Sequence, residues 1–302
     1  MTYLTRRDFI WGSTAMAVSL RSGLAFAGKK PDIVDVHGTD HAAMVNAALK
    51  ALGGIKKFVR KGDYVVLKPN AGFANPADWA TTTHPQTVVA VAKACLEAKA
   101  KQVLVVEYPV HEGKKPLDRC GITEALKVLP EVKVKQLGGS RDFRKVKIKD
   151  GVALRNVEIS KAVLSADVLI NIPNAKQHGS TGVSFGMKNA MGLIRDRRVF
   201  HTTLDINRAL ADLVRVLQPD LTILDATRAL LSNGPSGPGD TVLPGRIVAG
   251  RNVVSVDAYG LTLARFNNKL MKLVDAPHIQ LAGRAGLGET NLSKLNIKKI
   301  KV

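Results

Sequence analysis

Cysteine is scarce in this sequence, with only Cys95 and Cys120 among 302 residues. Two thiols cannot supply the four ligands that an iron–sulfur cluster or an all-cysteine zinc site normally requires, so we expect no self-contained iron–sulfur cluster. Cys95 lies among apolar residues at helical spacing, which is typical of a packed side chain rather than a ligand. We therefore predict two free thiols.

Long apolar runs and some common enzyme signatures are also absent. No run reaches the ~18 apolar residues of a membrane-spanning helix, so no transmembrane span is expected. The first predicted strand is not followed by a G-x-G-x-x-G sequence, and no C-x-x-C is present. These absences argue against a Rossmann dehydrogenase and a thioredoxin-like protein.

The first 27 residues carry the features of a Tat signal peptide in the expected order. Arg6 and Arg7 precede a short, moderately apolar stretch, which is followed by the small-x-small cleavage sequence Ala25-Phe26-Ala27. We expect cleavage after Ala27, export by the Tat translocase and a periplasmic or other extracytoplasmic location. The alternative is an ordinary amphipathic N-terminus.

Acidic residues are outnumbered, since 45 Lys and Arg residues face 25 Asp and Glu residues and give a formal charge of +20. One basic cluster comprises Lys127, Lys133, Lys135, Arg141, Arg144, Lys145, Lys147 and Lys149. Such a surface favours anionic substrates, acidic partners or membrane headgroups, and a solvated basic face is the simplest explanation. Nucleic acid is not expected, because the protein carries an export signal and no aromatic residues interleave with the cluster.

Short runs rich in Val, Ile and Leu alternate with segments that carry apolar residues at helical spacing. The predicted strands are 33–36, 64–67, 103–106, 132–137, 168–172 and 221–224. The predicted helices are 42–52, 87–98, 122–129 and 204–217. This order predicts an α/β fold with a mainly parallel sheet and helices on both faces. Segment 145–159 predicts a small hairpin insertion. We expect one α/β domain over residues 28–302.

Polar residues follow several of the predicted strands, where a parallel sheet places its ligands. They are Lys68, Asn70, His84, Lys176, His178, Lys188, Asn189, His201 and Asp225. Lysine, histidine, asparagine and aspartate are poor core residues, so this placement is typical of a binding or active site.

The same residues carry a resemblance to a known family, the domain-of-unknown-function family numbered 362. The resemblance extends in order from about Asp63 to Phe266. It rests on Lys68-Pro69-Asn70, the strand 167–173, Lys176-x-His178, Lys188-Asn189, His201, the strand 219–225, Asn233-Gly234-Pro235 and Ser255-Val256-Asp257. Some members are fused to ferredoxin-type domains and many carry Tat signals, so the resemblance implies an iron–sulfur association and a redox partner protein. It implies no established activity, and this chain lacks the cysteine-rich module of the fused members.

We interpret the polar cluster as a site for a small anion bearing phosphate or carboxylate. Lys68, Asn70, Lys176, Lys188, Asn189 and Asp225 are the predicted ligand-binding residues, and His178 and His201 are the predicted catalytic acid or base. Two alternatives remain open. Lys68-Pro69-Asn70 is equally consistent with a strand exit containing an Asx turn. For Lys176 and His178 the alternative is an exposed basic loop, and we favour a functional role because Lys188 and Asn189 follow closely.

Metal binding is a second interpretation of the histidines. His84, His178 and His201 with Asp225 are the candidate ligands, although no short-range ligand spacing supports them. The loop 233–239 has glycines that permit close backbone approach to a ligand, and a rigid surface turn explains it equally well. Asp257 is interpreted as a capping residue at the start of a helix over 257–266.

Three classes of function remain. The first is an exported enzyme that acts on a small anionic molecule. The second is a metal- or iron–sulfur-associated redox accessory protein whose cofactor comes from a partner or is inserted before export. The third is a binding protein that captures an anionic ligand without chemistry. The sequence favours the first, and whether the protein is an enzyme at all requires a turnover assay.

Overall fold

The structure is a computed structural model that describes residues 30–110 and 115–302. The predicted signal peptide, residues 1–27, lies outside the described residues. No helix in the described ranges is both long and apolar enough to cross a membrane.

The strands of the described chain follow the buried apolar runs. They are β1 (Ile33–His37), β2 (Tyr64–Pro69), β3 (Gln102–Glu107), β4 (Val132–Gln136), β5 (Phe143–Lys147), β6 (Asn156–Ser160), β7 (Val168–Ile172), β8 (Asn174–His178), β9 (Gly182–Ser184), β10 (Leu221–Leu230), β11 (Thr241–Val242), β12 (Arg246–Gly250) and β13 (Ile297–Lys301). The main sheet has the order β13-β1-β12-β10-β7-β2-β3-β4, with β8, β9 and β11 attached at β10. The run from β10 to β4 is parallel, as predicted, whereas β12 pairs antiparallel with both β1 and β10.

Four of the helices in the described ranges begin after a residue whose side chain accepts a hydrogen bond from the first turn. The α-helices of these ranges are α1 (His41–Ala51), α2 (Pro85–Glu97), α3 (Pro116–Arg119), α4 (Ile122–Ala125), α5 (Lys161–Leu164), α6 (Gly186–Asn189), α7 (Val199–Thr202), α8 (Ile206–Val214), α9 (Val253–Gly260) and α10 (Pro277–Arg284). Asp40 and Asp205 accept hydrogen bonds from the first turns of α1 and α8, which is the usual role of an N-cap carboxylate.

Helices cover both faces of the sheet, and the alternation of side chains along the strands shows it. Val65 and Leu67 pack in one core with α1 and α2, whereas Val66 between them packs in a second core with α8. This period of two is the signature of a strand buried on both faces. The predicted α/β class with helices on both faces is therefore confirmed.

The predicted hairpin is present as the antiparallel pair β5 and β6, with Lys145 opposite Glu158. Its apolar residues Phe143, Val157 and Ile159 are buried, so the basic residues of β5 face outward. The prediction for the cysteines is confirmed as well, because Cys95 and Cys120 are both buried and free.

Three predicted boundaries were wrong. Segment 174–178 is the strand β8 and not a loop, and β10 continues past Asp225 to Leu230. The helix predicted to start at Asp257 starts at Val253, because the side chain of Asn252 caps it by accepting from Ser255 N. Asp257 is therefore an interior residue of α9.

Candidate functional site

A cavity of about 550 Å³ lies beyond the carboxyl ends of β2 and β3 and against β8. Six of the residues predicted from the sequence line it: Asn70, Lys176, His178, Lys188, Asn189 and His201. They come from segments as far apart as residues 70 and 201, so the fold brings together what the sequence separates. The cavity also has an apolar wall that includes Phe73, Tyr108 and Met191.

Strand β8 places two of these side chains on the wall of the cavity. Lys176 and His178 are two residues apart on an extended strand, so they point to the same side. Lys176 is 1% exposed and His178 is 5% exposed. The alternative of an exposed basic loop is therefore wrong.

The Lys176 ammonium is held in place by oxygen acceptors. Its Nζ lies 3.0 Å from Asn70 Oδ1, donates to the carbonyl oxygen of Thr81 and lies 5.2 Å from the centre of the Phe73 ring. Burial, together with the positive charge of Lys188, lowers the pKa of Lys176 to about 7. Two of its three N–H donors are thus used by the protein, and one is left for a ligand.

Lys188 projects from the short helix α6, which is anchored by a buried carboxylate. Asp257 accepts hydrogen bonds from the backbone N–H groups of Gly186 and Met187, at 2.7 and 2.8 Å. The predicted capping role of Asp257 thus applies to the start of α6, which is distant in sequence, and not to its own helix. Burial raises the pKa of Asp257 to about 7.

The Lys188 ammonium makes no hydrogen bond or ion pair with any residue of the described ranges, unlike that of Lys176. Its environment is nevertheless charged, because Arg197 lies nearby. Desolvation lowers the pKa of Lys188 to about 7, and repulsion from the Arg197 guanidinium acts in the same direction. Near neutral pH, Lys188 is therefore present in both the charged and the neutral form.

His178 is held as a neutral imidazole. Desolvation lowers its pKa well below the ordinary value, and the charges of Lys188 and Lys176 act in the same direction. Its Nδ1 accepts a hydrogen bond from Ser180 N at 3.1 Å, so the proton of the neutral ring is assigned to Nε2. His178 can therefore donate a hydrogen bond from Nε2 to a ligand.

His201 lies close to His178, with 6.2 Å between ring centroids and an angle of 10° between the planes. It sits in α7, lines the cavity and is exposed to solvent. Desolvation lowers the pKa of His201 below 6.5, and the charges of Lys188 and Arg197 add to this effect. His201 is the more suitable of the two histidines for proton transfer, because solvent can exchange protons with it.

Lys68 occupies a different place from the one predicted. Its ammonium lies behind the cavity wall and pairs with Glu107 Oε2 at 2.8 Å, and both side chains are at most 2% exposed. It also donates to Asn189 Oδ1 at 3.1 Å and to the carbonyl oxygen of Pro69. All three N–H donors are used by the protein, so Lys68 supports the wall and does not reach a ligand.

Asn189 lines the cavity but is occupied by its neighbours. Its Nδ2 donates to Lys68 O and to Asn171 Oδ1, and its Oδ1 accepts from Lys68. Its predicted role in ligand binding is therefore corrected to that of a bridge between β2, β7 and α6. Asn70 differs, because its Oδ1 accepts from Lys176 and its Nδ2 makes no bond within the described ranges.

The structure does not bring the four candidate metal ligands together. Asp225 does not line the cavity, and its carboxylate accepts from His84 N, Thr87 Oγ1 and the backbone N–H and hydroxyl of Thr227. His84 stacks on His41 at 4.0 Å, on the same side of the molecule as Asp225. His178 and His201 lie in the cavity, apart from this pair. In residues 30–110 and 115–302, no three His, Cys, Asp or Glu residues form a group that could hold a metal ion.

Two charged residues of the site were not predicted. Glu107, the last residue of β3, lines the cavity and also accepts from Ala71 N and Tyr108 N. Arg197 donates to Tyr108 O at 2.8 Å and to Pro109 O, and its guanidinium lies 4.5 Å from the Tyr108 ring. A charged residue directly after a buried strand could have indicated Glu107. Only the basic run 195–198 between two motif segments could have indicated Arg197.

Ser184 was also missed, although it is at the centre of a G-x-S-x-G sequence, Gly182 to Gly186. It lines the cavity and pairs across the β8–β9 ladder with Lys176, so both side chains face the same side. Its backbone lacks the positive φ of a strained strand-to-helix elbow, and it donates to no histidine in the described ranges. Ser184 is therefore a hydroxyl of the cavity wall and not a triad nucleophile.

The loop 233–239 is explained mainly by packing. Gly234 N donates to Gln177 Oε1 at 2.6 Å, and a Cβ at Gly234 would lie 1.8 Å from Gln177 O. Glycine is thus required for contact with β8, while the neighbouring Pro235 reaches the cavity.

The comparisons with known proteins cover this part of the chain. The family model described as "Domain of unknown function (DUF362)" matches residues 65–262, which include all the cavity residues. The thylakoid-associated protein sll1697 of Synechocystis sp. is 29% identical over 222 residues, which are 71% of this chain and 67% of that protein.

Two solved structures are similar to this one. The lactate racemase apoprotein from Thermoanaerobacterium thermosaccharolyticum has a TM-score of 0.49 and 12% identity over 73% of this chain and 56% of its own. A protein from Thermotoga maritima has a TM-score of 0.47 and 12% identity over 82% of this chain and 60% of its own. This chain thus spans less than two thirds of the length of either solved chain.

Proposed function

The chain belongs to the DUF362 family, a family defined by a domain of unknown function, and from the geometry of its cavity we propose that it is an enzyme acting on a small molecule that bears a carboxylate or a phosphate. The observation that carries the proposal is the concentration of cationic side chains on one cavity wall. Lys176, Lys188 and Arg197 all line it. Lys188 has no anionic partner within the described ranges, and the acceptors that Lys176 has there are the uncharged oxygens of Asn70 and Thr81.

The acidic residues of the cavity do not cancel these charges. Glu107 is already paired with Lys68, which is buried behind it. Asp196 is exposed among Arg195, Arg197 and Arg198. A bound anion would supply the missing counter-charge, and charge-assisted hydrogen bonds from lysine and arginine are among the strongest that proteins make.

The remaining groups of the cavity suit chemistry on such an anion. His178 presents an Nε2–H donor that stays neutral, which can stabilise negative charge on a reacting oxygen. His201 can exchange protons with solvent, and Lys188 is partly neutral near pH 7, so both can act as acid or base. A protein that only captures an anion would gain more from lysines that stay fully charged, and this favours an enzyme.

We also propose that residues 1–27 direct export through the Tat pathway to the periplasm or another extracytoplasmic compartment. The support is the order of twin arginines, apolar stretch and small-x-small sequence. The anionic small molecule would then be encountered outside the cytoplasm.

The test of the proposed enzyme combines binding with turnover. Titration calorimetry with inorganic sulfate and phosphate should show binding to the purified protein, weakened by about tenfold or more in Arg197→Ala and Lys176→Met, since a lost charge-assisted bond is worth roughly 1.5–3 kcal/mol. Lys145→Ala, on the exposed strand β5, should bind like the wild type. Binding of neither anion would refute the proposal.

Turnover separates an enzyme from a binding protein. A screen of small carboxylates and phosphate esters, followed by mass spectrometry, should show conversion of a compound whose turnover is lost in His201→Ala while sulfate binding remains. Sulfate binding without conversion of any member of the screen would favour the non-catalytic alternative.

A further inference from the structure

Lys188 differs from the other two lysines that surround the cavity. Lys68 gives all its N–H donors to Glu107, Asn189 and Pro69, and Lys176 gives two to Asn70 and Thr81. Lys188 has no acceptor within the described ranges, although its side chain lines the cavity. Of these three lysines, Lys188 is therefore the one whose amine faces the cavity with no N–H group committed to an acceptor in the described ranges, which leaves it available to a ligand.

The surroundings of Lys188 keep that amine reactive. Arg197 stays protonated at every relevant pH, and its charge opposes protonation of Lys188. Lys176, His178, His201 and His278 are titratable groups whose pKa the charge of Lys188 lowers, and none of them is an anion. Glu107, the carboxylate of this wall, is committed to Lys68. Desolvation beside another cation is one of the ways in which proteins make lysine a nucleophile.

We propose that Lys188 forms an imine with a carbonyl substrate that also bears a carboxylate or a phosphate, such as a 2-oxo acid or a phosphorylated aldehyde. This inference rests on the proposed function and names the substrate class of the same cavity. The carbonyl is what an amine can attack, and the anionic group is what Lys176 and Arg197 can hold.

The covalent step balances without any further reagent. The lone pair of Lys188 Nζ attacks the carbonyl carbon, the carbonyl π bond breaks, and a proton moves from nitrogen to oxygen to give a carbinolamine. His201 then donates a proton to the hydroxyl, which leaves as water while the C=N bond forms, and the nitrogen proton returns to His201. The net reaction converts the amine and the carbonyl into an imine and water.

The cavity wall has donors for the oxygen in this step. The register of β8 and β9 sets Ser184 opposite Lys176, and His178 lies two residues along on the same face. The Ser184 hydroxyl and the His178 Nε2–H both line the cavity, so the carbonyl oxygen can be polarised on one side while Lys188 attacks the carbon.

Reductive trapping tests the proposal on the intact protein. The purified protein is treated with sodium cyanoborohydride and either pyruvate, glyoxylate or pyridoxal 5′-phosphate, and the modified lysine is identified by peptide mass mapping. We expect one predominant adduct, at Lys188, which forms faster than adducts at surface lysines by roughly 10²-fold at pH 7, since an ordinary lysine with a pKa near 10.4 is almost entirely protonated there. Excess sulfate should slow formation of the adduct at Lys188.

Matched variants separate this proposal from the proposed function. Lys188→Arg keeps the positive charge and should lose the adduct while still binding sulfate, and Lys145→Ala should react like the wild type. If the wild type binds sulfate but its adducts are spread over surface lysines, the imine proposal is refuted and the anion site stands. If it neither binds sulfate nor reacts at Lys188, both are refuted.

Discussion

Lys68, behind the cavity wall, forms an ion pair of 2.8 Å with Glu107, which lines the cavity, and neither side chain is more than 2% exposed. The pair joins the ends of β2 and β3, and Glu107 also holds the backbone of Ala71 and Tyr108. Because Lys68 neutralises the Glu107 carboxylate, this wall of the cavity carries a carboxylate and still has a net positive charge. The pair acts on the site through structure and not by contact with a ligand.

Removing one member of this pair should destabilise the protein strongly. We expect Lys68→Met to lower the free energy of unfolding by about 3–5 kcal/mol, because a buried carboxylate is left without its partner. Urea denaturation measures the loss. The exposed pair of Lys127 and Glu124 is the control, and Lys127→Met should change stability by less than about 0.5 kcal/mol. In the double variant Lys68→Met with Glu107→Gln, part of the loss should be recovered.

Gly192 is predicted to be sensitive to the smallest substitution. A Cβ there would lie 2.1 Å from Glu107 Oε1 and 2.7 Å from Lys68 Nζ, so the buried pair would have to move. We expect Gly192→Ala to cost about 1–3 kcal/mol of stability and to weaken sulfate binding. Gly138→Ala has no neighbouring atom within 4 Å and should leave both unchanged. Equal melting temperatures for the two variants would contradict the prediction.

Sulfate binding should depend on pH through the two cavity lysines. The pKa values of Lys176 and Lys188 are lowered to about 7, so both are charged below that pH and lose charge above it. Affinity should therefore fall as the pH rises from 6 to 9, with a midpoint above 7, because bound sulfate favours the protonated lysines. His201 adds charge only at the acidic end, since its pKa lies below 6.5. Calorimetry that shows a constant affinity for sulfate from pH 6 to 9 would contradict the lowered pKa values of Lys176 and Lys188.

Stability should depend on pH in the opposite direction. The unfolded chain keeps Lys188 protonated up to its ordinary pKa of 10.5, whereas the folded chain releases the proton near pH 7, so the free energy of unfolding rises with pH between these values. Lys188→Met removes this pH-dependent contribution to the free energy of unfolding. The variant should be more stable than the wild type at pH 6, and its advantage should shrink at pH 9. Urea denaturation at both pH values checks this, and a constant difference would be inconsistent with a depressed pKa.

The export proposal is tested by the twin arginines. Replacing Arg6 and Arg7 together by lysine keeps the charge but removes the guanidinium pair that the Tat receptor recognises. We expect uncleaved precursor in the cytoplasm, measured by fractionation and immunoblotting. Replacing Lys29 and Lys30 by arginine is the control and should leave export unchanged. Normal accumulation outside the cytoplasm in a strain without Tat would falsify the proposal.

The fold was largely predictable because its central strands are buried on both faces. Runs such as 64–67 and 168–172 are almost purely apolar, and such runs have few other uses in a globular chain. Strand β8 escaped prediction for the opposite reason. Lys176 and His178 are buried there by the cavity they line, so hydropathy identifies the segment as a loop. Helix α9 is buried on all sides and shows no amphipathic period that would mark its start.

The sequence predicted most of the residues that belong to the site, but it did not predict what each of them does there. Lysine, histidine and asparagine after buried strands indicated where a ligand lies, and most of these residues do line one cavity. Whether a lysine is free depends on partners that are distant in sequence. Lys68 is neutralised by Glu107, 39 residues away, whereas Lys188 has the positive charge of Arg197 nearby. Local sequence does not distinguish these two situations.

The hydrogen bond between Lys68 and Asn189 spans 121 residues of sequence. Lys68 lies in β2 and Asn189 in α6, and Asn189 also donates to Asn171 of β7, so this wall is complete only when all three elements have assembled. Any molecule that fits the cavity therefore reports on completed folding. A dye or anion retained by this site would serve as a probe of the native state during refolding.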